Sequence, residues 1–326
     1  MSTSKSYENI PNNRQGKFNY EVSDALSKDQ VETFFTPGYI VIKHLFTKEE
    51  VEIIAKHAEQ MFTEAQKIAE KHKVENKIVV NTAFRCDYDG LNGTKSASIL
   101  AINNEDHPIA IKLISWVGGV EQNLIDLSRQ DKIIIKVGQL LGSDKANHLI
   151  NQIHYKMPHD KVTFNWHQDI QNRRTFDPNW KDVNKKGSFI QVLTAIDEVT
   201  TGSGPLIVIP YSHKEDLHLS DLSIAENKLK IIQKYDLARA VPLLLEPGDT
   251  IFMHPVLLHQ SEANESDQPR KMFINGFSYP EANKKPYPGA GSTEEVFLNI
   301  SPNLLQETND FIKESIQDIP HTRNKE

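Results

Sequence analysis

The sequence contains a single cysteine, Cys86, among its 326 residues. One cysteine excludes an internal disulfide and a thiolate metal cluster, and it is typical of a protein from a reducing compartment. Any metal bound by this chain would therefore be held by histidines and carboxylates. The chain offers 13 histidines and 44 acidic residues for that purpose.

Long apolar runs and a basic excess are also absent. No stretch approaches the roughly 18 consecutive apolar residues of a membrane-spanning helix, and the mean hydropathy is −0.50. The net charge of −7 argues against general nucleic-acid binding, which needs a basic surface. Residues 1–22 form a polar tail without the composition of a secretory signal or a transit peptide. We expect a cytoplasmic monomer or homodimer that acts on a small molecule, with no membrane or nucleic-acid partner.

Short strand-like runs separated by turn residues dominate residues 132–280. Such a pattern with glycine and proline punctuation predicts a sandwich or barrel, not a parallel sheet wound with helices. The predicted strands are Ile133–Val137, Ile150–Tyr155, Val162–Trp166, Phe189–Ile196, Leu206–Ile209, Val241–Leu245, Thr250–Met253 and Met272–Phe277.

Residues 23–280 are expected to form one domain, with a helical part over 23–130 and the β core over about 132–280. Thr47 and Glu50 make a capping box that starts a long amphipathic helix reaching about Lys71. Residues 281–326 are expected to be a C-terminal extension with one helix. The remaining expectations are a helix start at Ser23–Gln30, a strand at Gly38–Leu45, and helices at Ile109–Leu127 and Leu304–Ile316.

His167, Asp169 and a later histidine form a pattern that indicates a metal site. Two histidines and one carboxylate are the ligand set of non-haem Fe(II) oxygenases, in which three protein ligands leave other coordination positions open. His167 and Asp169 are separated by one residue, so their side chains leave the same face of an extended segment.

Several motifs occur in an order that resembles the phytanoyl-CoA dioxygenase family of Fe(II)/2-oxoglutarate oxygenases. The resemblance covers about residues 28–280. The motifs are Trp166-His167-Gln168-Asp169, Gly202-Ser203-Gly204-Pro205 continuing to Pro210-Tyr211-Ser212-His213-Lys214, Pro247-Gly248-Asp249-Thr250, His254-Pro255 continuing to His259-Gln260-Ser261, and Arg270-Lys271.

This resemblance implies a mainly β fold with flanking helices, a double-stranded β-helix of the jelly-roll, cupin-like kind. It also implies Fe(II), 2-oxoglutarate as cosubstrate, and O2. His167 and Asp169 would be the first two metal ligands. His254 and His259 compete for the third position, and the family pattern places the ligand at His259.

By the same resemblance, three residues would bind 2-oxoglutarate. Arg270 would anchor its distal carboxylate through a planar, two-point ion pair that lysine cannot copy. Ser261 would share that carboxylate, since it lies two residues from His259 and so on the same strand face. Gln152 matches a position that touches the cosubstrate in relatives, although backbone groups could equally satisfy its amide.

Four further residues have two interpretations. His154 and His159 could support the ligands or simply be packed or solvated. Arg173 and Arg174 could meet an acidic substrate group or remain in water.

The implied reaction is hydroxylation of an unactivated carbon of a small-molecule substrate, with release of succinate and CO2. Asp169 argues against halogenation, because halogenating relatives carry a small residue in its place, while desaturation and ring closure stay open. The alternatives are a non-catalytic metal- or ligand-binding jelly roll and an oxygenase acting on a protein. Substrate choice is expected to lie in loops 85–108 and 170–187.

Overall fold

Two antiparallel sheets face each other across an apolar core. The computed structural model describes residues 24–89, 95–105, 109–177, 179–181, 188–219, 224–283 and 294–316. In these residues a nine-stranded sheet packs on a four-stranded sheet, and buried side chains of both, such as Leu193 and Val208, share one cluster. A second cluster joins the other face of the larger sheet to the helices, through residues such as Phe273 and Ile54. The predicted tail, residues 1–22, and parts of the expected loops 85–108 and 170–187 lie outside the described residues. Where those two segments are described, they consist largely of strand and helix and not of loop.

Thirteen strands occur in the described residues. They are β1 (Tyr39–Ile42), β2 (Ala83–Asp89), β3 (Lys95–Ile102), β4 (Ala110–Ser115), β5 (Lys145–Lys156), β6 (Phe164–His167), β7 (Phe189–Ala195), β8 (Leu206–Val208), β9 (Val241–Leu243), β10 (Thr250–Met253), β11 (His259–Ser261), β12 (Arg270–Ser278) and β13 (Glu295–Phe297). The larger sheet has the order β1-β10-β7-β12-β5-β4-β3-β2, with β13 also paired to β5, and the smaller has the order β6-β11-β8-β9.

Seven α-helices accompany these strands in the described part of the chain. They are α1 (Lys28–Phe35), α2 (Lys48–Asn76), α3 (Gln122–Ser128), α4 (Asp131–Leu141), α5 (Asp169–Phe176), α6 (Ile224–Lys234) and α7 (Pro302–Ser315). None of them combines the length and the apolar character needed to cross a bilayer.

Helix α2 packs on the outer face of the larger sheet, and local sequence signals determine where it begins and which face it buries. The Thr47 hydroxyl accepts a hydrogen bond from the Glu50 backbone N–H at 3.3 Å, and the Glu50 carboxylate accepts one from the Thr47 N–H at 2.8 Å. This confirms the predicted capping box. Ile54 and Ala58 on the apolar face are fully buried, and the Tyr155 hydroxyl of β5 donates to the Ala58 carbonyl at 3.0 Å. The helix is thereby fastened to the larger sheet.

Two of the predicted elements are wrong. The stretch Ile109–Leu127 was expected to be one helix but contains β4 and α3. Strand β4 pairs with β3 and β5 in the larger sheet, and Trp116 after it adopts a left-handed backbone with φ of 60°, through which a helix cannot continue. The expected strand Ile133–Val137 lies inside α4. A run of five residues rich in β-branched side chains is too short for its pattern to distinguish a strand from a segment of a buried helix.

The division into a helical part and a β core also needs correction. The region 23–130, expected to be helical, contributes β1 to β4 to the larger sheet, and the predicted core from residue 132 begins inside α4. In residues 281–326, β13 adds to β5 before the expected helix, which is α7. The other predicted strands match observed strands within a few residues.

Candidate functional site

Two histidines of the smaller sheet lie directly opposite each other. His167 ends β6 and His259 begins β11, their Cα atoms are antiparallel partners, and their ring centroids are 4.1 Å apart. Strand β6 does not continue to Asp169 as predicted, since Asp169 is the first residue of α5. Gln168 between them has an extended backbone, with φ −119° and ψ 124°, and so the carboxylate stays on the same side as His167.

The side-chain atoms of these three residues converge. Asp169 Oδ1 is 3.4 Å from His167 Nε2, and Asp169 Oδ2 is 3.7 Å from His259 Nε2. One ligand atom from each residue lies within 4.8 Å of the others. His167 Nδ1 faces the Asn165 carbonyl at 2.7 Å and His259 Nδ1 faces the Leu257 carbonyl at 2.8 Å. With Nδ1 donating, each Nε2 is free to coordinate an ion at the shared centre.

The charges of this cluster suit a cation. Burial and the neighbouring His167 lower the pKa of His259 to about 4, so this imidazole is neutral at neutral pH. Burial would raise the pKa of Asp169, but His259 and His167 hold it well below its usual range. Asp169 Oδ2 is buried and has no hydrogen-bond partner among the described residues. An ionised carboxylate with an unused oxygen, beside two imidazole nitrogens, fits a divalent metal ion.

Metal binding at this cluster is expected to weaken as the pH falls. Burial lowers the pKa of His167, but the Asp169 carboxylate raises it above its ordinary value overall. His167 is therefore fully protonated when the pH is below its ordinary pKa, and it loses this proton as the pH rises through the raised pKa. A metal ion that binds His167 must displace this proton. Mn(II) titrations between about pH 6 and about pH 8 should show affinity rising by up to about tenfold per pH unit. A constant affinity over this range would contradict the assignment.

Gln168 holds the backbone between two of the candidate ligands. Its buried amide Nε2 donates to the Glu215 and Val256 carbonyls at 2.8 and 2.7 Å, and its Oε1 accepts from the Leu217 N–H at 2.9 Å. The residue thus ties the turn after β6 to two other loops. This role was not predicted from the sequence, although a residue between two ligands on an extended segment must face away from them.

Replacing Gln168 with leucine is expected to lower the free energy of unfolding by about 2–4 kcal/mol, because buried backbone groups lose their partners. It should also weaken metal binding about 10-fold or more through misplaced ligands. Gln139→Leu is the matched control, since the buried Gln139 amide similarly bonds the Leu26 backbone at 2.6 and 3.0 Å in the helical layer. Urea unfolding and Mn(II) titration of both variants give the test. Equal metal affinity in the two variants would refute the positioning role.

Arg270 faces the core from the larger sheet. It is the first residue of β12 and is 4% exposed, and its Nε has no hydrogen-bond partner among the described residues. Burial lowers the pKa of Arg270 to about 10 while Asp197 opposes this, so the guanidinium remains charged at neutral pH. A buried guanidinium whose Nε–H has no acceptor among the described residues is suited to bind a ligand that carries a carboxylate.

The other two predicted cosubstrate residues lie on neighbouring strands. Ser261 is on β11 with His259, and Gln152 is on β5, which pairs with the strand of Arg270. Ser261 ends β11 and is 5% exposed. Gln152 lies on β5 and its amide donates to His154 Nε2 at 2.9 Å, so a side chain and not the backbone engages it. His154 stacks on Phe164 at 4.9 Å. Burial and the charge of Arg270 lower the pKa of His154 to about 3, while Asp169 opposes this. His154 therefore lies within electrostatic reach of both Arg270 and the metal cluster.

Two of the candidate histidines lie elsewhere. His254 is fully buried between the rings of Phe34 and His213, at centroid distances of 6.2 and 5.1 Å, so the structure brings His259, and not His254, to His167. His159 lies on the surface with its Nε2 3.3 Å from Asp267.

The two arginines of α5 differ in their surroundings. Arg174 pairs with the Asp216 carboxylate. Arg173 is one helical turn after Asp169, on the same side of the helix, and it contributes to the lowered pKa of that carboxylate.

Comparison with known proteins assigns the chain to a family. The family model of phytanoyl-CoA dioxygenase (PhyH) matches residues 34–272. The chain belongs to the phytanoyl-CoA dioxygenase family. This confirms the resemblance drawn from the ordered motifs of the sequence.

The family relatives align over different lengths. Peroxisomal phytanoyl-CoA dioxygenase of Bos taurus is 32% identical over 137 residues, which cover 40% of this chain and 40% of the relative. The chain thus spans less than half of that relative in the alignment. A phytanoyl-CoA dioxygenase domain-containing protein 1 homolog of Caenorhabditis briggsae is 25% identical over 276 residues, covering 75% of this chain and 88% of the relative.

Solved structures share the fold of this family member. EctD from S. alaskensis with bound Fe superposes with a TM-score of 0.59 at 18% identity, covering 88% of this chain and 90% of that one. The 2-oxoglutarate-dependent carbocyclase SnoK from nogalamycin biosynthesis has a TM-score of 0.54 at 16% identity, covering 84% and 95%. These likenesses confirm the predicted double-stranded β-helix with flanking helices.

Proposed function

We propose that this chain is an Fe(II)/2-oxoglutarate-dependent dioxygenase that hydroxylates an unactivated carbon of a small molecule, with release of succinate and CO2. One observation carries the proposal. The ligand atoms of His167, Asp169 and His259 lie within 4.8 Å of one another at the edge of the smaller sheet, and the buried Arg270, whose Nε has no hydrogen-bond partner among the described residues, faces the same core from the larger sheet. Family membership supports the same reading.

Each residue has a role in this proposal. His167, Asp169 and His259 would hold Fe(II), leaving other positions for the cosubstrate and oxygen. Arg270 would receive the distal carboxylate of 2-oxoglutarate, with the Ser261 hydroxyl as a second donor. When bound, Fe(II) and 2-oxoglutarate supply the activation of O2, in which the keto acid becomes succinate and CO2. Asp169 occupies the position a halide would need, which favours oxygen transfer over halogenation.

The walls of the core keep water from the reacting centre. Met272 and Ile274 follow Arg270 at alternate positions of β12, and both pack in the apolar cluster between the sheets with Leu193 of β7. Closing a site with apolar side chains strengthens the charge interactions inside it. The chain's own contribution is thus to orient the cosubstrate and to keep the site dry.

A metabolite screen tests this function. Protein supplied with Fe(II), 2-oxoglutarate, O2 and fractionated small-molecule extracts should release succinate in step with a product that has gained one oxygen atom by mass spectrometry. The Arg270→Met variant is the control for enzyme-dependent turnover. A product that lost two hydrogens instead would indicate desaturation or ring closure. Protein fractions of the same extracts are tested in parallel, and succinate release only with these would favour the protein-substrate alternative. No oxidation in any fraction would favour a non-catalytic binding protein.

A further inference from the structure

Strand β2 forms one edge of the larger sheet. It pairs with β3 from Ala83 to Asp89, and no other strand of the described residues pairs with it. The edge strands β1, β6 and β9 have four, four and three residues, whereas β2 has seven. Proteins commonly keep their sheet edges short, because the unpaired N–H and C=O groups of an edge can pair with another chain. The length of β2 therefore indicates a place where another strand can be added.

The side chains of β2 alternate between the two faces of the sheet. Phe84 and Cys86 are buried, and the Phe84 ring stacks on His72 of α2 with the ring centroids 5.7 Å apart. Arg85 and Asp87 are exposed on the opposite face. Helix α2 thus holds the strand in place, and the strand presents two opposite charges to solvent.

The order of side chains along β2 fits a second copy of the same strand. In an antiparallel pair with a two-fold axis at Cys86, Arg85 lies opposite the partner's Asp87, and Phe84 lies opposite the partner's Tyr88. The symmetry forms each of these contacts twice. Opposite charges and pairs of aromatic side chains are favourable across strands, whereas like charges that face each other are unfavourable. An axis at either charged residue would place like charges opposite each other, so the charges favour the register centred on Cys86.

Exposed apolar side chains adjoin the same edge. Val74 in the last turn of α2 is 76% exposed, and Val79 and Val80 in the connection to β2 are 69% and 45% exposed. Single exposed apolar residues are ordinary, but a group of them indicates an interaction surface. The seven residues of β2 fall short of the roughly 20–30 residues that each partner contributes to a stable interface. We therefore expect these valines to belong to the covered area.

We propose that β2 is the contact between two copies of this chain, which pair in an antiparallel way about a two-fold axis at Cys86. The pairing would join the two larger sheets into one continuous sheet. None of the three candidate metal ligands belongs to β2, so this inference does not depend on the proposed function.

Sedimentation velocity of the full chain measures the association. At micromolar concentrations the unmodified protein should sediment as a dimer, with twice the chain mass of 37.1 kDa. Arg85→Asp should raise the dimer dissociation constant roughly 10- to 100-fold, because two pairs of opposite charges become two pairs of like charges. Asp87→Arg should have a similar effect. The double variant, which combines both substitutions, exchanges the charges and should restore most of the affinity.

The matched control is Lys145→Glu. Lys145 also lies on a strand and faces an opposite charge, that of Glu295 at 3.4 Å, but this pair joins β5 to β13 and not β2 to a partner. Its reversal should leave the dissociation constant of the dimer within about twofold. Melting temperatures of all variants show whether the fold is kept.

The position of the axis has a separate readout. Ala83 is three positions before Cys86, so the two copies of Ala83 lie on opposite sides of the axis, about 20 Å apart at roughly 3.4 Å per residue. Spin labels attached to Ala83→Cys in a Cys86→Ala background report this distance by pulsed electron paramagnetic resonance. A contact through another surface would give a different distance.

Four results would overturn the proposal. They are a monomer throughout the micromolar range, a dimer that neither single charge reversal weakens, a double variant that stays as weak as the single ones, and a clearly different distance between the labels. A monomer that dimerises only after removal of residues 1–23 would show that this segment, and not a second copy, covers the edge.

Discussion

Replacing His259 with alanine is expected to weaken Fe(II) binding by roughly 100- to 1,000-fold and to abolish turnover. Structural zinc sites with four protein ligands bind with about 10–16 kcal/mol, which corresponds to about 2.5–4 kcal/mol for each ligand. His259 directly faces His167 across two paired strands and approaches the Asp169 carboxylate, and these three residues are the group among the described residues that could hold a metal ion. Titration of the metal-free variant with Fe(II) under anaerobic conditions gives the measurement.

The control for this variant is His254→Gln. His254 is also a buried histidine and belongs to the same sequence motif, but it packs against Phe34 and His213 outside the cluster. Its replacement should cost folding stability and leave Fe(II) affinity within a few-fold of the unmodified protein. The opposite ranking of the two variants would show that His254 is the ligand.

Replacing Arg270 with methionine is expected to weaken 2-oxoglutarate binding by about 2–5 kcal/mol, or roughly 30-fold to several thousand-fold. The variant removes the planar guanidinium that would pair with the distal carboxylate and leaves that carboxylate in a dry core. Fe(II) affinity should be unchanged, because Arg270 lies on the larger sheet and the three ligands lie on or beside the smaller one. Anaerobic titration of the Fe(II)-loaded variant with 2-oxoglutarate measures the loss.

The same variant should not lose folding stability. Burial disfavours the charged form of Arg270, and its Nε has no hydrogen-bond partner among the described residues. An apolar side chain of similar length is thus expected to leave the free energy of unfolding unchanged or to raise it. Arg270→Lys should show intermediate 2-oxoglutarate affinity, since lysine keeps the positive charge but cannot make the planar two-point contact of a guanidinium. A large drop in stability with normal 2-oxoglutarate binding would make Arg270 a structural residue.

The elements that the sequence predicted well have strong local signals. The capping box at Thr47 set the start of α2, and β-branched runs bounded by turns marked most strands of the β core. The two errors arose where local signals are ambiguous. Ile133–Val137 is β-branched yet lies in a buried helix, and the stretch from Ile109 is apolar on both faces because β4 is covered on both sides.

The candidate site likewise contains some residues that could be predicted from the sequence and others that could not. His167, Asp169 and His259 could be predicted because ordered motifs carry them, and Arg270 because it follows at a characteristic place. The positioning role of Gln168 was not predicted, since it depends on contacts with segments that are distant in the sequence.

An anaerobic titration of the metal-free protein, first with Fe(II) and then with 2-oxoglutarate, tests the central claim most directly. We expect a visible metal-to-ligand charge-transfer band that appears only when both Fe(II) and 2-oxoglutarate are present and that saturates at one equivalent of each. The His259→Ala variant should fail to develop it at comparable concentrations. Correctly folded protein that binds Fe(II) and 2-oxoglutarate without such a band, or binds neither, would contradict the proposed site.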